Sequence, residues 1–421
     1  MRIFIDILGG VLFFALILVS VGLHELGHFI PGKLFNVKVV QFFIGFGKNI
    51  WKTQKGDTEY GIKMIPLGGY VRLLGAYPPK KPGKNTWLKR VADGAREAEW
   101  EEITPEDVAS GRLLYQAAIW KRIVIMASGV FINLLLAFCL FLGVNLAWGQ
   151  YQPGMTIQTV SACLKPAPAA CVQPPAAAMG LQPGDTVLSF NGTAFSQWAD
   201  LTAAVRANED GPVQLTVSRA GQSVALPSVA GMVSTVADPN DQTKTIQAGF
   251  LGVTAAYERA TIGPGGTLKQ MGSMVGQSLV ALAKLPISAY NAVRDMITGT
   301  PRDINSPISI VGASVIAGQI AGMTGVSTGD KVASYVSLLA GLNLFVGLMN
   351  LVPLVPFDGG QIAAGIYEAI RRGWAKLRKR PDPGPADTAK LLPVAYIVGG
   401  LLVVIGAILI VADIISPVSV F

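Results

Sequence analysis

Four stretches of this chain are long and apolar enough to cross about 30 Å of hydrocarbon: residues 4–24, 123–148, 333–355 and 391–415. Inside hydrocarbon each backbone N–H and C=O must be satisfied within the protein, so such stretches become helices whose ends lie at the membrane faces. That constraint outranks every other signal in the sequence. Composition agrees with it: 51% of the 421 residues are hydrophobic and 14% are charged, where soluble domains carry about 25% charged residues. A polytopic α-helical membrane protein with four transmembrane helices is expected. Arg2 precedes the first apolar run as in a signal peptide, but no small-x-small cleavage site follows, so the helix is read as retained.

Lys and Arg set the orientation. Residues 48–122 hold fourteen of them and 371–390 hold seven, whereas 150–330 hold nine. Positive-inside places the first two segments in the cytoplasm and 150–330 outside, with both termini outside. The net charge of +8 is thus spent on topology. With no zinc-finger spacing, helix-turn-helix pattern or aromatic-basic stripe, nucleic acid is not expected as a partner; the lipid bilayer is.

The first span ends in His24-Glu25-Leu26-Gly27-His28, which contains both histidines of the chain. Residues four apart share one helix face, so His24 and His28 can hold one metal ion, and Glu25 can take a proton from water there. The third span supplies a candidate third ligand. It runs through Asn350 and then Pro353, Pro356 and Asp358. A carboxylate at the end of an apolar span is expensive unless it meets a cation, and the two prolines break the helix so that Asp358 can turn inward. Two imidazoles, one carboxylate and a free position suit one catalytic Zn2+ per chain, although ligand type alone leaves iron or cobalt open. Asn350 could hold a substrate carbonyl or make a helix–helix hydrogen bond. Asp413, near the end of the last span, is expected to reach the interface.

Between the first two spans, residues 39–47 and 58–72 are β-rich and broken by glycines, among them Gly45 and Gly47. They are too apolar for an ordinary loop, so a β-hairpin dipping beside the metal is expected, with Gly45 and Gly47 as candidate substrate contacts; a small sheet on the inner face is the alternative. Residues 78–112 read as a polar, flexible excursion. Outside, Cys163 and Cys171 can form a disulfide in an oxidising compartment, while Cys139 falls inside the second span as a buried thiol. Residues 265–300 read as an amphipathic helix on the membrane surface, and 307–320 as a packed segment too short to span.

Two resemblances add to this reading. The order GLQPGD (180–185), strand 187–190, turn Asn191-Gly192, helix 198–208 and hairpin 213–226 resembles a PDZ domain of the bacterial protease type. His-Glu-x-x-His on the first span, Asn350-x-x-Pro353-x-x-Pro356-x-Asp358-Gly359 on the third and that insert between them resemble the site-2 protease family, intramembrane zinc metalloproteases, and within it the bacterial one-PDZ, actinobacterial type. The sequence departs at Phe357, where Leu is usual, and at Phe345, where many members carry a second Asn; Asn343 lies two residues earlier.

The resemblance implies zinc on His24, His28 and Asp358, Glu25 as general base, and a β-hairpin edge offered to an unwound substrate helix. It also implies a bacterial plasma membrane and single-span substrates pre-trimmed by another protease, such as anti-sigma-factor-like proteins or signal-peptide remnants. The competing readings are a non-catalytic PDZ-bearing adaptor with a structural metal and an ion transporter; a structural site needs no base, and a transporter would want internal repeats. The expected fold is therefore four transmembrane helices, a membrane-associated β-hairpin region and an extracytoplasmic α+β PDZ-like domain. The expected divisions are 1–32 (first span), 33–122 (β loop and excursion), 123–149 (second span), 150–260 (PDZ-like domain), 261–330 (amphipathic region), 331–370 (third span), 371–390 (basic loop) and 391–421 (fourth span).

Overall fold

The structure is a computed structural model that describes residues 2–79, 87–163, 172–237, 245–300, 302 and 306–416. In chain order the elements begin with α1 (Arg2–Leu34), β1 (Val39–Lys55), β2 (Thr58–Leu73), α2 (Trp87–Trp100), α3 (Pro105–Ala109) and α4 (Ile119–Ala147). There follow β3 (Gln150–Val160), α5 (Pro175–Ala178), β4 (Thr186–Phe190), β5 (Thr193–Ala194), α6 (Trp198–Ala207), β6 (Leu215–Arg219), β7 (Gln222–Ala225), β8 (Val233–Ala237), β9 (Thr245–Gly249) and β10 (Val253–Ala260). The chain closes with α7 (Pro264–Thr298), α8 (Ile310–Gly322), α9 (Thr328–Leu351), α10 (Asp358–Leu377) and α11 (Leu392–Ile415). It divides into two compact units, residues 148–262 and the remainder.

In the larger unit, four helices among the described residues are long and apolar enough to cross a membrane: α1, α4, α9 and the run 388–415 that contains α11. Small residues let neighbouring helices of this unit approach closely, as helices in lipid require. A Cβ at Gly9 would stand 2.7 Å from that of Ala321, and Tyr335 donates to the Gly9 carbonyl at 2.7 Å. The short apolar segment is α8, wedged between α1 and α9, where Ala313 and Ala317 pack with Phe13, Ile17 and Leu339. α7 is helical as expected, yet Met271 is buried with Ala137 and Phe141 of α4 and Leu344 and Leu348 of α9, so it packs into the bundle.

Several expectations need correction. Residues 87–112 are not a loose excursion: α2 and α3 are tied down by carboxylates. Glu99 accepts from the amides of Gly75, Ala76 and Tyr77 at 2.9–3.0 Å, Lys38 donates to Asp107 at 2.5 Å, and Arg96 to Asp387 at 2.6 Å. The basic loop 371–390 begins as helix, because α10 continues to Leu377 around a buried Glu368 that accepts from Arg122 at 2.6 Å and from Ala386 N–H at 2.8 Å. Asp413 does not reach an interface. It is buried against Arg302 at 2.6 Å and accepts from Ser309 N–H at 2.7 Å. Cys139 is free and faces outward from α4.

β1 and β2 pair antiparallel with several bulges, and the first half of β1 is flanked on both sides: Phe43 stands opposite Tyr70 and opposite Gly61. Phe46, Ile50, Trp51 and Met64 of this hairpin are exposed.

The smaller unit is α+β. Its main sheet runs β10-β3-β4-β6-β7, β5 pairs with β4, and β8-β9 form a separate hairpin. Ile157, Leu181, Val187, Leu201, Leu215 and Val217 fill its core. The expected strand–helix–hairpin order is present, with left-handed backbone at Asn191-Gly192 and Ala220-Gly221 (φ 48°, 82°, 52° and 80°), as tight two-residue turns demand. Cys163 is disulfide-bonded; Cys171, its expected partner, lies outside the described residues.

Candidate metal centre

The donors come from helices far apart in sequence. His24, Glu25 and His28 occupy buried positions on α1. α9 stops at Leu351 because Pro353 and Pro356 cannot continue it, and α10 starts at Asp358. The two glycines after Asp358 are needed by the tightness of this reversal: a Cβ at Gly359 would collide with the carbonyl oxygens of Leu351 and Val352, and one at Gly360 would stand 2.7 Å from Val355 N. Asp358 is thereby pointed at α1.

His24 Nε2 and His28 Nε2 lie 3.2 Å apart, and Asp358 Oδ2 lies 3.4 Å from the first and 3.3 Å from the second. A tetrahedral ion with bonds of about 2.0–2.1 Å keeps its donors roughly 3.3–3.4 Å apart. The three atoms therefore form one face of such a tetrahedron. Asp358 Oδ2 is buried with no hydrogen-bond donor among the described residues, a cost that a cation removes. Within the described residues this is the one group of three or more His, Cys, Asp or Glu side chains placed to hold a metal ion. The donor set fits a Zn2+ ion.

The far sides of the imidazoles are held by α4. His28 Nδ1 donates to the Ile125 carbonyl at 2.8 Å, which leaves the Nε2 lone pair for a metal. The Asn133 amide lies 3.2 Å from His24 Nδ1; with its oxygen toward the ring it accepts the Nδ1–H and leaves His24 in the same tautomer. α4 comes this close because Gly129 has no side chain: a Cβ there would meet the His28 ring and stand 2.9 Å from His24 Cε1. Neither Asn133 nor Gly129 was singled out in the sequence. An Asn in an apolar span, costly unless it faces a partner, was the available signal.

The donors and Glu25 line a cavity of about 450 Å³ together with Ser20, Asn133, Asn343, Asn350 and the strand Gly68–Val71. Glu25 lies against this strand: a Cβ at Gly69 would stand 2.8 Å from Glu25 Cγ. Asn350 has no hydrogen-bond partner from the protein among the described residues, whereas Asn343 donates to Ser20 Oγ at 3.2 Å and the Leu339 carbonyl at 2.8 Å. The structure does not bring Gly45 and Gly47 to this cavity. Both have positive φ (90° and 85°) within the bulged part of β1, where Gly45 approaches the Lys63 and Ile65 carbonyls. Their partner strand β2 supplies the cavity wall instead.

Comparison with known proteins identifies the family. The model of peptidase family M50 matches residues 12–381. The zinc metalloprotease Rip1 of Mycolicibacterium smegmatis is 34% identical over 437 aligned positions, covering 98% of this chain and 99% of that protein. Rip1 of Mycobacterium tuberculosis is 33% identical with 98% of each covered, and the metalloprotease MmpA of Caulobacter vibrioides is 26% identical with 88% of each covered. By fold, donor geometry and full-length similarity, the chain belongs to peptidase family M50, the site-2 proteases, and is a metalloendopeptidase.

Proposed function

We propose that His24, His28 and Asp358 hold the zinc ion of this membrane metalloendopeptidase, one per chain, and that Glu25 is its general base. The observation that carries the reading is the 3.2–3.4 Å triangle of donor atoms with its buried, donorless carboxylate oxygen. When bound there, zinc supplies Lewis acidity toward a water and a peptide carbonyl. Glu25 takes the proton of the attacking water and returns it to the leaving amine. Glu25 faces the cavity beside the strand Gly68–Val71, and Asn350 offers an amide to the substrate carbonyl.

The substrates we infer are single-span membrane proteins of the anti-sigma-factor type, shortened beforehand by another protease, and signal-peptide remnants. A transmembrane helix hides its carbonyls in its own hydrogen bonds, so it must unwind to be cut. The edge of β2 at Gly69–Val71 lies beside Glu25 and can take the unwound segment as an added strand. The smaller unit is read as an extracytoplasmic PDZ domain. Its candidate groove, about 180 Å³, runs between Trp198, Thr202 and Val205 of α6 and residues 249–253. It would admit shortened stubs or exclude bulky ectodomains; unchanged cleavage of both substrate forms after deletion of 155–230 would remove that role. The chain is placed as a multi-pass protein of the bacterial plasma membrane, with both termini and this unit outside.

The test compares purified wild type with Glu25→Gln on a single-span substrate, with zinc measured in the same samples. Cleavage lost with zinc retained is expected. Equal cleavage in both would remove Glu25 as the base.

A further inference from the structure

α10 carries the carboxylate of the cavity at its first residue and a different chemistry on its outer face. Ile366, Tyr367, Ile370, Trp374 and Leu377 are between 48% and 76% exposed and fall in an arc about 100° wide at 100° per residue. The opposite face, with Ala364, Gly365, Glu368 and Ala375, is buried. There Gly365 lies against Ile123 of α4, Glu368 accepts from Arg122, and the Ala386 N–H just ahead of α11 closes the same carboxylate. α10 thus sits where α4 and the run into α11 begin, at one end of the bundle, and it is not among the helices apolar enough to cross a membrane.

Cations border the apolar arc. Arg371 and Arg378 lie on one side, stacked over the Tyr367 and Trp374 rings at 5.6 and 4.5 Å, and Lys376 lies on the other. Lys379 and Arg380 follow. Lys376, Arg378, Lys379 and Arg380 have no carboxylate partner among the described residues. An apolar stripe with Trp and Tyr, edged by long cationic side chains that can reach upward, is the chemistry of a helix lying in a bilayer interface, and the surplus positive charge selects anionic headgroups.

We propose that this face of α10 docks on anionic lipid headgroups and that the docked helix sets the position of Asp358, so that anionic lipid promotes cleavage. The second half rests on the reading of Asp358 as a metal ligand.

The test uses the full chain in bilayers of phosphatidylcholine, with or without one part in three of phosphatidylglycerol. Quenching of Trp374, taken as wild type minus Trp374→Phe, is measured with bromine on one lipid or the other. At least twofold stronger quenching by brominated phosphatidylglycerol is expected, with the preference lost in Arg378→Gln/Lys379→Gln/Arg380→Gln. Equal quenching by both lipids, or none, overturns the docking surface. Cleavage of a single-span substrate is expected to rise severalfold with phosphatidylglycerol in wild type but not in the triple variant. Selective quenching with unchanged cleavage overturns the coupling to Asp358. The quenching readout needs no metal, so if Asp358→Asn kept zinc and activity, the ligand assignment would fail while the docking surface stood.

Discussion

The Asn133 side-chain amide stands 3.2 Å from His24 Nδ1, on the ring edge turned away from Asp358. With the Ile125 carbonyl on His28, it means that one helix orients both imidazoles. Outer partners of metal-bound histidines are worth about 10–100-fold in metal affinity. Asn133→Ala should weaken zinc binding by that factor in a chelator competition, and wild-type affinity would show that the amide does not orient the ring.

Gly129 is a second point of contact between α4 and the site. In Gly129→Ala the new methyl would press on both imidazoles, an overpacking that costs roughly 1–3 kcal/mol. The rings should be displaced before the helices separate, so zinc per chain should fall while helical content by circular dichroism stays unchanged. A variant with full zinc would mean that the bundle adjusts around the methyl.

Substrate unwinding makes a prediction about the substrate itself. Gly costs about 1 kcal/mol relative to Ala inside a helix. Each Gly→Ala change near the cut site of a single-span substrate should therefore slow cleavage about fivefold, read by comparing initial rates at equal substrate density. Rates indifferent to such changes would argue that the peptide arrives already extended.

In the smaller unit Asp185 explains the last residue of the GLQPGD turn. It accepts from Arg219 Nε and Nη2 at 2.8 and 2.7 Å and from Gln182 N–H at 2.8 Å. The hydrogen bonds from Arg219 hold its carboxyl below the usual carboxylate range. A folded pKa lowered in this way contributes stability that is present above the unfolded value of about 3.9 and is lost as pH falls through the folded value. Asp185→Asn should lower the temperature at which residues 148–262 become protease-sensitive in the full chain at pH 7, by the equivalent of about 1–3 kcal/mol. The gap should narrow below pH 3, tested with thermolysin at the higher pH and pepsin at the lower. An equal drop at both would remove the ion pair as its cause.

Arg302 and Asp413 are both buried, 111 residues apart. Removing one partner of a buried pair costs about 3–5 kcal/mol because the other charge is stranded. Asp413→Ala should therefore lower the thermal unfolding midpoint in detergent more than Asp413→Ala combined with Arg302→Met.

The spans, the His24/His28 pair and Asp358 were legible because each carries its own local signature: apolar length, i,i+4 spacing, an acid after two prolines. The turns at Asn191-Gly192 and Ala220-Gly221 were legible for the same reason. Asp413 was misread because its partner lies on a distant segment with no pattern linking the two. Residues 87–112 read as loose because their polar side chains were counted as solvated, whereas Glu99, Asp107 and Arg96 spend their charges on backbone amides and partners elsewhere in the fold. Gly45 and Gly47 have the composition of a strand that could meet a substrate, but they lie in the bulged part of β1, while β2 lines the cavity.

The separation of His24 from Asp358 also has a meaning in time. The two lie 334 positions apart in the chain, and ribosomes add about 5–20 residues per second. For roughly 20–70 s of its own synthesis, each molecule carries His24, Glu25 and His28 without Asp358. The cluster of His24, His28 and Asp358 is complete only once the break after α9 has been made.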